Sequence, residues 1–256
     1  MTDDKSSGWK LRPARDFNIP FAASLRSHKR EPGLLSVMGH ALWLGCVRAY
    51  LKTAHRLQVT GRDHLPADAP FVIVGNHTSH LDVLSLTASL THRLAHRATA
   101  LAAGDVFFRT TRSAMFAAAA LNALPIWRED TSLADLAFLR SRLMEDRMVF
   151  ILFPEGTRAR DGVMKRFRPG LGAFVAGTDI PVVPCFLTGA HACWPPQRRL
   201  PRPGPLHLAI GPPLRFDAVG NDPHGWKEVA RQTEAAVRAL GPATTAPGGS
   251  PSAPPA

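Results

Sequence analysis

The sequence predicts an α/β fold, a single domain with a largely parallel or mixed central sheet flanked by helices. Two stretches, FVIVGN (71–76) and MVFILF (148–153), are unbroken apolar runs, which is typical of strands covered on both faces. The segments around them alternate between strand-like and helix-like patterns, as expected when helices pack on the faces of such a sheet. With 256 residues, the chain is long enough to bury the core of one domain of this kind.

The first half of the chain begins with polar, proline-containing residues 1–32, for which irregular structure is expected. Residues 34–56 predict a helix that is apolar in its first part. Its last part carries a basic residue at every fourth position, Arg48, Lys52 and Arg56, which places those cations on one stripe. After the strand FVIVGN come a predicted helix over 81–90, a weaker strand over 97–103 and an alanine-rich helix over 105–121.

The second half of the chain continues the alternation. An amphipathic helix is predicted from Ser132 to Asp146, with Ser132 and Asp135 as a capping pair at its start. Further strands are predicted over 181–187 and 206–211, and helices over about 170–178 and 224–240. The Pro-, Gly- and Ala-rich tail cannot bury enough apolar surface to order itself. The predicted organisation is an N-terminal segment with an interfacial helix (1–56), the α/β domain (57–240) and a disordered tail (241–256).

The net charge of +11 indicates an anionic partner, which could be nucleic acid, a membrane surface or a phosphorylated or thioester-carrier substrate. Nucleic acid is not expected, because the sequence has no recognisable nucleic-acid-binding motif and a single tyrosine for base stacking. Three scattered cysteines do not predict a zinc site or a disulfide framework. His92 and His96 lack an evident third ligand, so no metal site is predicted and a solvated helix face is favoured for them.

The stretch VGNHTSHLD (74–82) places His77 directly after an apolar strand and Asp82 five positions later. On one continuous helix these side chains would point about 140° apart. If His77 lies before the helix and Asp82 in its first turn, the chain folds back and the carboxylate can accept from one imidazole nitrogen, leaving the other as a base. The structural alternative is a capping box formed by Ser79 and Asp82, in which the segment only starts a helix.

The stretch FPEGTRARDG (153–162) follows the second apolar strand. Gly156 lets backbone amides approach an anion, and the Thr157 hydroxyl and the Arg158 guanidinium can donate to a phosphate. A solvated basic loop is the alternative, but it leaves Glu155 unexplained at the end of an apolar strand. Since ligands bind at the carboxyl edge of parallel sheets, both stretches are predicted to meet there.

Together these stretches resemble the motifs of the glycerolipid acyltransferase family, the 1-acylglycerol-3-phosphate acyltransferases. NHTSHLD is similar to the family's Asn-His-x-Ser-x-x-Asp motif and FPEGTR to its Phe-Pro-Glu-Gly-Thr-Arg motif. LPIWR (124–128) and IPVVPCFLTG (180–189) resemble its second and fourth blocks, and the resemblance covers about residues 57–214. FRPG (167–170) stands where the family often has Phe-Lys-x-Gly, so that Arg168 takes the place of a lysine.

The resemblance implies an O-acyltransferase in which His77 is the general base on an acceptor hydroxyl and Asp82 orients it. The implied binding residues for the acceptor's phosphate-bearing head group are Arg128, Glu155, Gly156, Thr157, Arg158 and Arg168. The implied partners are a lysolipid acceptor, most simply 1-acylglycerol-3-phosphate, and acyl-CoA or acyl-carrier protein as donor, with no cofactor. Acylation of another lysolipid, or a non-catalytic basic protein, remains the alternative.

The N-terminal segment is predicted to face the membrane, because lysolipids partition into bilayers. Its apolar part, Leu34 to Val47, is about half the length needed to span a bilayer, so the helix is expected to lie in the interface, with its basic residues toward anionic lipid. Packing of this helix on the α/β core is the alternative. The expected location is the cytoplasmic face of the cell (inner) membrane, as a peripheral or monotopic protein.

Overall fold

The computed structural model of the chain describes residues 18–20, 23, 27, 29, 34–103, 110, 115, 117, 122–126 and 132–242. Most of the predicted helix over 105–121, the predicted binding residue Arg128 and nearly all of the predicted disordered tail lie outside the described residues.

In the part of the chain that the structure describes, seven strands form one sheet, which confirms the predicted α/β class. Their spatial order is β1-β7-β6-β2-β5-β3-β4. Every neighbouring pair is parallel except β6 and β7, which are antiparallel, so the sheet is mixed. The strands are β1 (Gln58–Thr60), β2 (Phe71–Gly75), β3 (Ala98–Ala103), β4 (Leu124–Ile126), β5 (Val149–Leu152), β6 (Val182–Thr188) and β7 (His207–Ile210).

The helices flank this sheet. They are α1 (Leu34–Thr53), α2 (Asp82–Ser89), α3 (His92–Ala95), α4 (Leu133–Glu145), α5 (Gly172–Val175, after a 3-10 turn at Pro169–Leu171), α6 (Ala190–Cys193) and α7 (Pro223–Ala239). The predicted capping box of α4 is confirmed, because Asp135 N donates to Ser132 Oγ and Ser132 N donates back to the Asp135 carboxylate. The helix predicted over about 170–178 ends early, at Val175, and is followed by Gly177 at φ +67°.

The two central strands are buried on both faces, as their unbroken apolar runs predict. Alternate residues of β2 therefore enter different cores: Phe71 and Ile73 pack in the core that includes α1 and α2. Val72 and Val74 pack in the core that includes α4 and α7. This double cover holds β2 and β5 rigidly in the middle of the sheet, and the residues that follow them begin from fixed positions.

Helix α1 uses one stripe to cover the core and leaves another apolar stripe open. The buried stripe contains His40, Leu44, Val47 and Leu51, at most 7% exposed each, spaced four, three and four residues apart. Met38 and Leu42, on a different side, are 61% and 74% exposed. One stripe of α1 therefore packs on the α/β core, as the alternative prediction for this helix stated, and the stripe with Met38 and Leu42 is exposed. None of the helices in the described part of the chain has the length and apolar character needed to cross a membrane.

The predicted lipid-facing role of Arg48 is wrong. Its guanidinium donates to the carbonyl oxygens of Ala88 (3.2 Å) and Leu90 (2.6 Å) at the carboxyl end of α2. Arg62 donates to the neighbouring carbonyl of Ser89 at 2.8 Å. The last carbonyls of a helix have no partner within the helix, so these two arginines satisfy them and anchor α2 to α1 and to the turn after β1.

Candidate active site

The polar residues that follow β2 and β5 meet at one edge of the sheet, because these strands are parallel neighbours. The last residues of β2 and β5 are Gly75 and Leu152, and β6 on the other side of β2 ends at this edge as well. Asn76 ties the edge together: its Nδ2 donates to Leu187 O at 3.1 Å, and Leu187 N donates to its Oδ1 at 2.8 Å. The turn that carries His77 therefore starts from a fixed point.

His77 and Asp82 touch, because the chain folds back between the strand and the helix as predicted. His77 Nδ1 lies 2.8 Å from Asp82 Oδ2, and the same oxygen accepts from the amides of Thr78 (2.8 Å) and Ser79 (2.9 Å). The side chain of Asp82 is 1% exposed and that of His77 is 16% exposed. Because a carboxylate only accepts, Nδ1 carries the hydrogen in this pair and Nε2 keeps a lone pair. The imidazole is stacked on the ring of Phe153, with 4.1 Å between centroids.

The capping-box alternative holds in part. The carboxylate of Asp82, the first residue of α2, accepts from Ser79 N, as a capping box requires. The reciprocal bond is missing, because Ser79 Oγ instead accepts from Leu81 N and donates to the carbonyl of Trp194. One carboxylate oxygen thus serves both the start of the helix and the imidazole, and the cap prepares the geometry that a His–Asp pair needs.

Glu155 braces the turn that carries His77. Its Oε1 accepts from His77 N at 2.6 Å and its Oε2 accepts from Lys165 N at 2.9 Å. The residue is 3% exposed, and burial raises the pKa of its carboxyl while the two amides oppose that shift. A further bond, from Ala159 N to His77 O at 2.8 Å, joins the same two loops. Both carboxylate oxygens of this predicted binding residue are therefore occupied by backbone amides.

The loop after Glu155 holds basic side chains against a glycine. Gly156 has φ +75°, a left-handed conformation that glycine adopts without strain. A Cβ at this position would lie 2.9 Å from Nε of Arg168, so the arginine side chain would have to shift if this residue had a side chain of its own. Lys165 Nζ donates to Thr157 Oγ1 at 3.3 Å. Thr157, Lys165 and Arg168 are exposed, which leaves hydroxyl and cationic groups open to an incoming anion.

Arg158, the next residue after Thr157, is half-buried and contacts His80. Its NH1 is 2.6 Å from Nδ1 of His80. Burial lowers the pKa of the guanidinium, and the nearby carboxylate of Asp82 raises it. The sequence analysis assigned no role to His80, because nothing in the sequence signals a contact between side chains 78 positions apart.

The remaining predicted residue, Arg128, follows β4 in the sequence but lies outside the described residues. β4 ends at Ile126 and is parallel to β3, so it leaves the sheet at the same edge as β2 and β5. In the portion of the chain that the structure describes, no group of three or more His, Cys, Asp or Glu side chains is arranged to hold a metal ion. His92 is exposed and its neighbour His96 is partly buried, with 3.1 Å between Nδ1 of the first and Nε2 of the second.

Comparison with known proteins bears on the same segment. The family model described as Acyltransferase matches residues 56–188, more than half of the chain. The 1-acyl-sn-glycerol-3-phosphate acyltransferase of Limnanthes douglasii is 36% identical over 75 residues, which is 29% of this chain and 27% of that protein. The alpha form from Mus musculus is 23% identical over 168 residues, 65% of this chain and 58% of that protein.

A solved structure has a similar fold. The 1-acyl-sn-glycerophosphate (LPA) acyltransferase PlsC from Thermotoga maritima superposes with a TM-score of 0.58 at 20% sequence identity, over 80% of this chain and 78% of that one. The chain spans about a quarter to three fifths of the length of the curated relatives it matches. The matched segment contains the His77 turn and the Glu155 loop, so the candidate site lies within the part of the chain that is similar to these proteins.

Proposed function

Because the chain belongs to the acyltransferase family, we propose that it transfers a fatty acyl group from an acyl thioester to the free hydroxyl of a lysolipid. The observation that carries the proposal is the pairing of His77 with the buried Asp82, with Nε2 left as a base at an edge of the sheet where Arg158 and Arg168 also lie. The proposed acceptor is 1-acylglycerol-3-phosphate, and its product would be phosphatidic acid. The curated relatives carry that acceptor in their names.

In the proposed reaction, His77 Nε2 takes the proton of the acceptor hydroxyl as its oxygen attacks the thioester carbonyl carbon. The tetrahedral intermediate then expels the thiolate, which recovers the proton from the imidazolium. Asp82 holds the ring with its hydrogen on Nδ1 and stabilises the imidazolium between the two steps. The serine that completes a protease triad is not needed, because the acceptor supplies the attacking hydroxyl.

The acceptor phosphate is assigned to the basic groups of the loop after β5. Arg158 presents a half-buried guanidinium, and Arg168, Lys165 and the Thr157 hydroxyl are exposed. Charge-assisted bonds from arginine to phosphate are roughly twice as strong as neutral ones. Glu155 contributes indirectly by holding the backbone of His77. The resemblance also assigns Arg128 to this group.

The test uses purified chain, acyl-CoA and acyl-carrier-protein donors, and a panel of lysolipids with and without a phosphate monoester. We expect His77→Ala to lower turnover by about 10²–10⁴-fold, while His224→Ala, at an exposed histidine on α7, leaves it unchanged. Arg158→Ala should raise the KM for the acceptor and leave that for the donor within about threefold.

Near-normal turnover in His77→Ala would refute the mechanism, and a preferred acceptor without phosphate would refute the assignment of the head group. Comparing the two donors decides which thioester is used. A non-catalytic, nucleic-acid-binding protein would instead transfer no acyl group and would shift DNA in a salt-dependent manner.

We also propose that α1 places the enzyme on the cytoplasmic face of the membrane, as a peripheral protein. The exposed stripe with Met38 and Leu42 is supported by a separate buried stripe, so lipid contact does not require the helix to leave the core. Helices with an exposed apolar stripe and nearby cations bind the interface through apolar burial and attraction to anionic lipid. Lys52 is exposed on α1. The predicted helix over 34–56 ends at Thr53, so Arg56, which is also exposed, lies three residues past its end and not on the predicted helical stripe.

A double variant separates the two roles of α1. Met38→Asp with Leu42→Asp should give a folded protein that no longer sediments with anionic liposomes. Met144→Asp, at an exposed methionine on α4, is the matched control and should sediment normally. Leu44→Asp, on the buried stripe, should instead lower the melting temperature. A folded double variant that binds liposomes as strongly as the parent would refute the lipid contact.

A further inference from the structure

His80 is held in place by three contacts. Its backbone amide donates to the carbonyl of Trp194 at 3.2 Å, and its ring lies 4.9 Å from the ring of the same tryptophan. The third contact is NH1 of Arg158, 2.6 Å from Nδ1 and 3.0 Å from Nε2. The ring therefore lies between the segment after α6 and the guanidinium proposed to bind phosphate.

These contacts match one protonation state of the imidazole. A neutral ring has one N–H donor and one lone-pair acceptor. The guanidinium of Arg158 has donors only and carries a positive charge, and its NH1 lies within 3.0 Å of both ring nitrogens, so its compatible partner is an uncharged ring with a lone pair. An imidazolium has two donors and no acceptor, so it would repel Arg158 in charge and in hydrogen bonding.

Burial and the surrounding charges shift the protonation equilibrium of the His80 imidazole. Burial is the largest influence and lowers the pKa of His80, and the positive charge of Arg158 lowers it further. The Pro196 carbonyl and the carboxylate of Asp82, at the start of α2, raise it, and His77 lowers it. The net direction is downward from 6.5, so at neutral pH the ring has the lone pair that Arg158 requires.

We propose that His80 is a positioning residue for the acceptor site, which in its neutral form orients Arg158 toward the phosphate and in its protonated form releases it. This inference rests on the proposed function in assigning the acceptor phosphate to Arg158. It adds a residue that sets acceptor affinity and makes that affinity depend on pH. His80 remains distinct from His77, which acts on the hydroxyl and sets turnover.

Two substitutions separate positioning from packing. In His80→Gln, the amide oxygen can accept from Arg158 at every pH. In His80→Phe, an aromatic ring beside Trp194 is kept and the hydrogen bond with Arg158 is lost. At about pH 7.5, we expect His80→Phe to raise the acceptor KM by about tenfold, in line with a charge-assisted bond. We expect His80→Gln to stay within about threefold, and both to keep kcat and the donor KM near the parent's values.

The pH profile supplies a readout that packing alone does not change. Between about pH 7.5 and about pH 5, the acceptor KM of the parent should rise more steeply than that of His80→Gln, because only the parent protonates at this position. The second ionisation of the phosphate affects both proteins equally and cancels in the ratio of their KM values. A ratio that stays flat over this range would overturn the inference, as would unchanged acceptor KM values in both variants.

A measurement without substrate keeps the inference separate from the proposed function. The His80 pKa, followed by NMR titration of the ring proton, should move upward in Arg158→Ala, because a neighbouring positive charge is removed. The same titration in Arg160→Ala, at an exposed arginine two positions along, is the control. An unchanged His80 pKa in Arg158→Ala would refute the pairing even in an active enzyme. If the pKa moves but the parent does not acylate lysophosphatidic acid, the proposed function fails and the pairing stands.

Discussion

Replacing Glu155 with glutamine tests whether this carboxylate holds the backbone of His77 in place or contacts the acceptor directly. The carboxylate accepts one hydrogen bond from His77 N and one from Lys165 N, and it is almost fully buried. An amide keeps one acceptor oxygen and replaces the other by an N–H₂ group that faces a backbone donor. One buried amide therefore loses its partner whichever way the glutamine turns.

The change in the free energy of unfolding follows from the loss of that single hydrogen bond. Leaving a buried backbone N–H without a partner costs about 1–3 kcal/mol, and removing a buried charge returns part of the burial cost that raises the pKa of Glu155. We expect the free energy of unfolding to fall by about 2 kcal/mol, which for a domain of this size lowers the melting temperature by about 4–8 °C.

The effect on catalysis should fall on kcat. Since Glu155 holds the backbone of His77, its loss shifts the base, and a displacement of about 1 Å can cost about 10²-fold in rate. If the imidazole of His77 shifts by about 1 Å or less, we expect Glu155→Gln to lower kcat by roughly one to two orders of magnitude. The KM for the acceptor should stay within about threefold of the parent's value. The assays are steady-state kinetics with the acceptor varied, and thermal unfolding followed by circular dichroism.

A matched control is Glu145→Gln, at an exposed glutamate near the end of α4, which should change neither quantity. The reasoning would be refuted if Glu155→Gln kept the parent's melting temperature and raised the acceptor KM selectively. That outcome would mean that the carboxylate contacts the acceptor and not the backbone.

Three further predictions concern other parts of the molecule. Asp82→Asn should lower turnover by roughly 10⁴-fold, the size of effect known where the wrong imidazole tautomer is favoured, with the acceptor KM nearly unchanged; a loss below about tenfold would contradict the orienting role. Arg48→Ala should lower the free energy of unfolding by about 1–3 kcal/mol, because two carbonyls at the end of α2 lose a charged donor, whereas Lys52→Ala, one helical turn away and exposed, should have little effect in the same denaturant titration. Burial lowers the pKa of His55 in the folded protein, so the unfolded chain binds a proton more tightly at this position. The free energy of unfolding should therefore fall as the pH drops from about 6.5, the ordinary pKa of histidine, toward the lowered pKa of the folded state. In His55→Gln, this part of the pH dependence of the melting temperature should disappear.

The strands at the centre of the sheet were predictable, because burial on both faces leaves a direct mark on the sequence. FVIVGN and MVFILF became β2 and β5 within a residue or two at each end. The strands β1 and β4 have three residues each, too few to display a period, and they became visible only through their pairing with β7 and β3. Helix α4 was predictable for another reason, since its capping box is a local pattern.

The basic stripe of α1 illustrates how a local pattern can mislead. A spacing of four residues places Arg48, Lys52 and Arg56 on one side of an ideal helix, and the sequence analysis directed all three toward lipid. The structure turns Arg48 to the end of α2, a partner 40 positions away along the chain. Periodicity tells which residues share a face, but the neighbour that covers this face is decided by packing.

At the candidate site, the sequence by itself determined the His77–Asp82 pair, because the fold-back at a strand-to-helix junction is local and a five-residue spacing permits one close approach. It also determined that basic groups follow β5. Only the tertiary structure decided what Glu155 and His80 contact. Their partners lie 78 positions away in the sequence, in loops that meet because β2 and β5 are parallel neighbours. Contacts across such a sheet edge depend on strand order, and strand order is set by the packing of the whole domain.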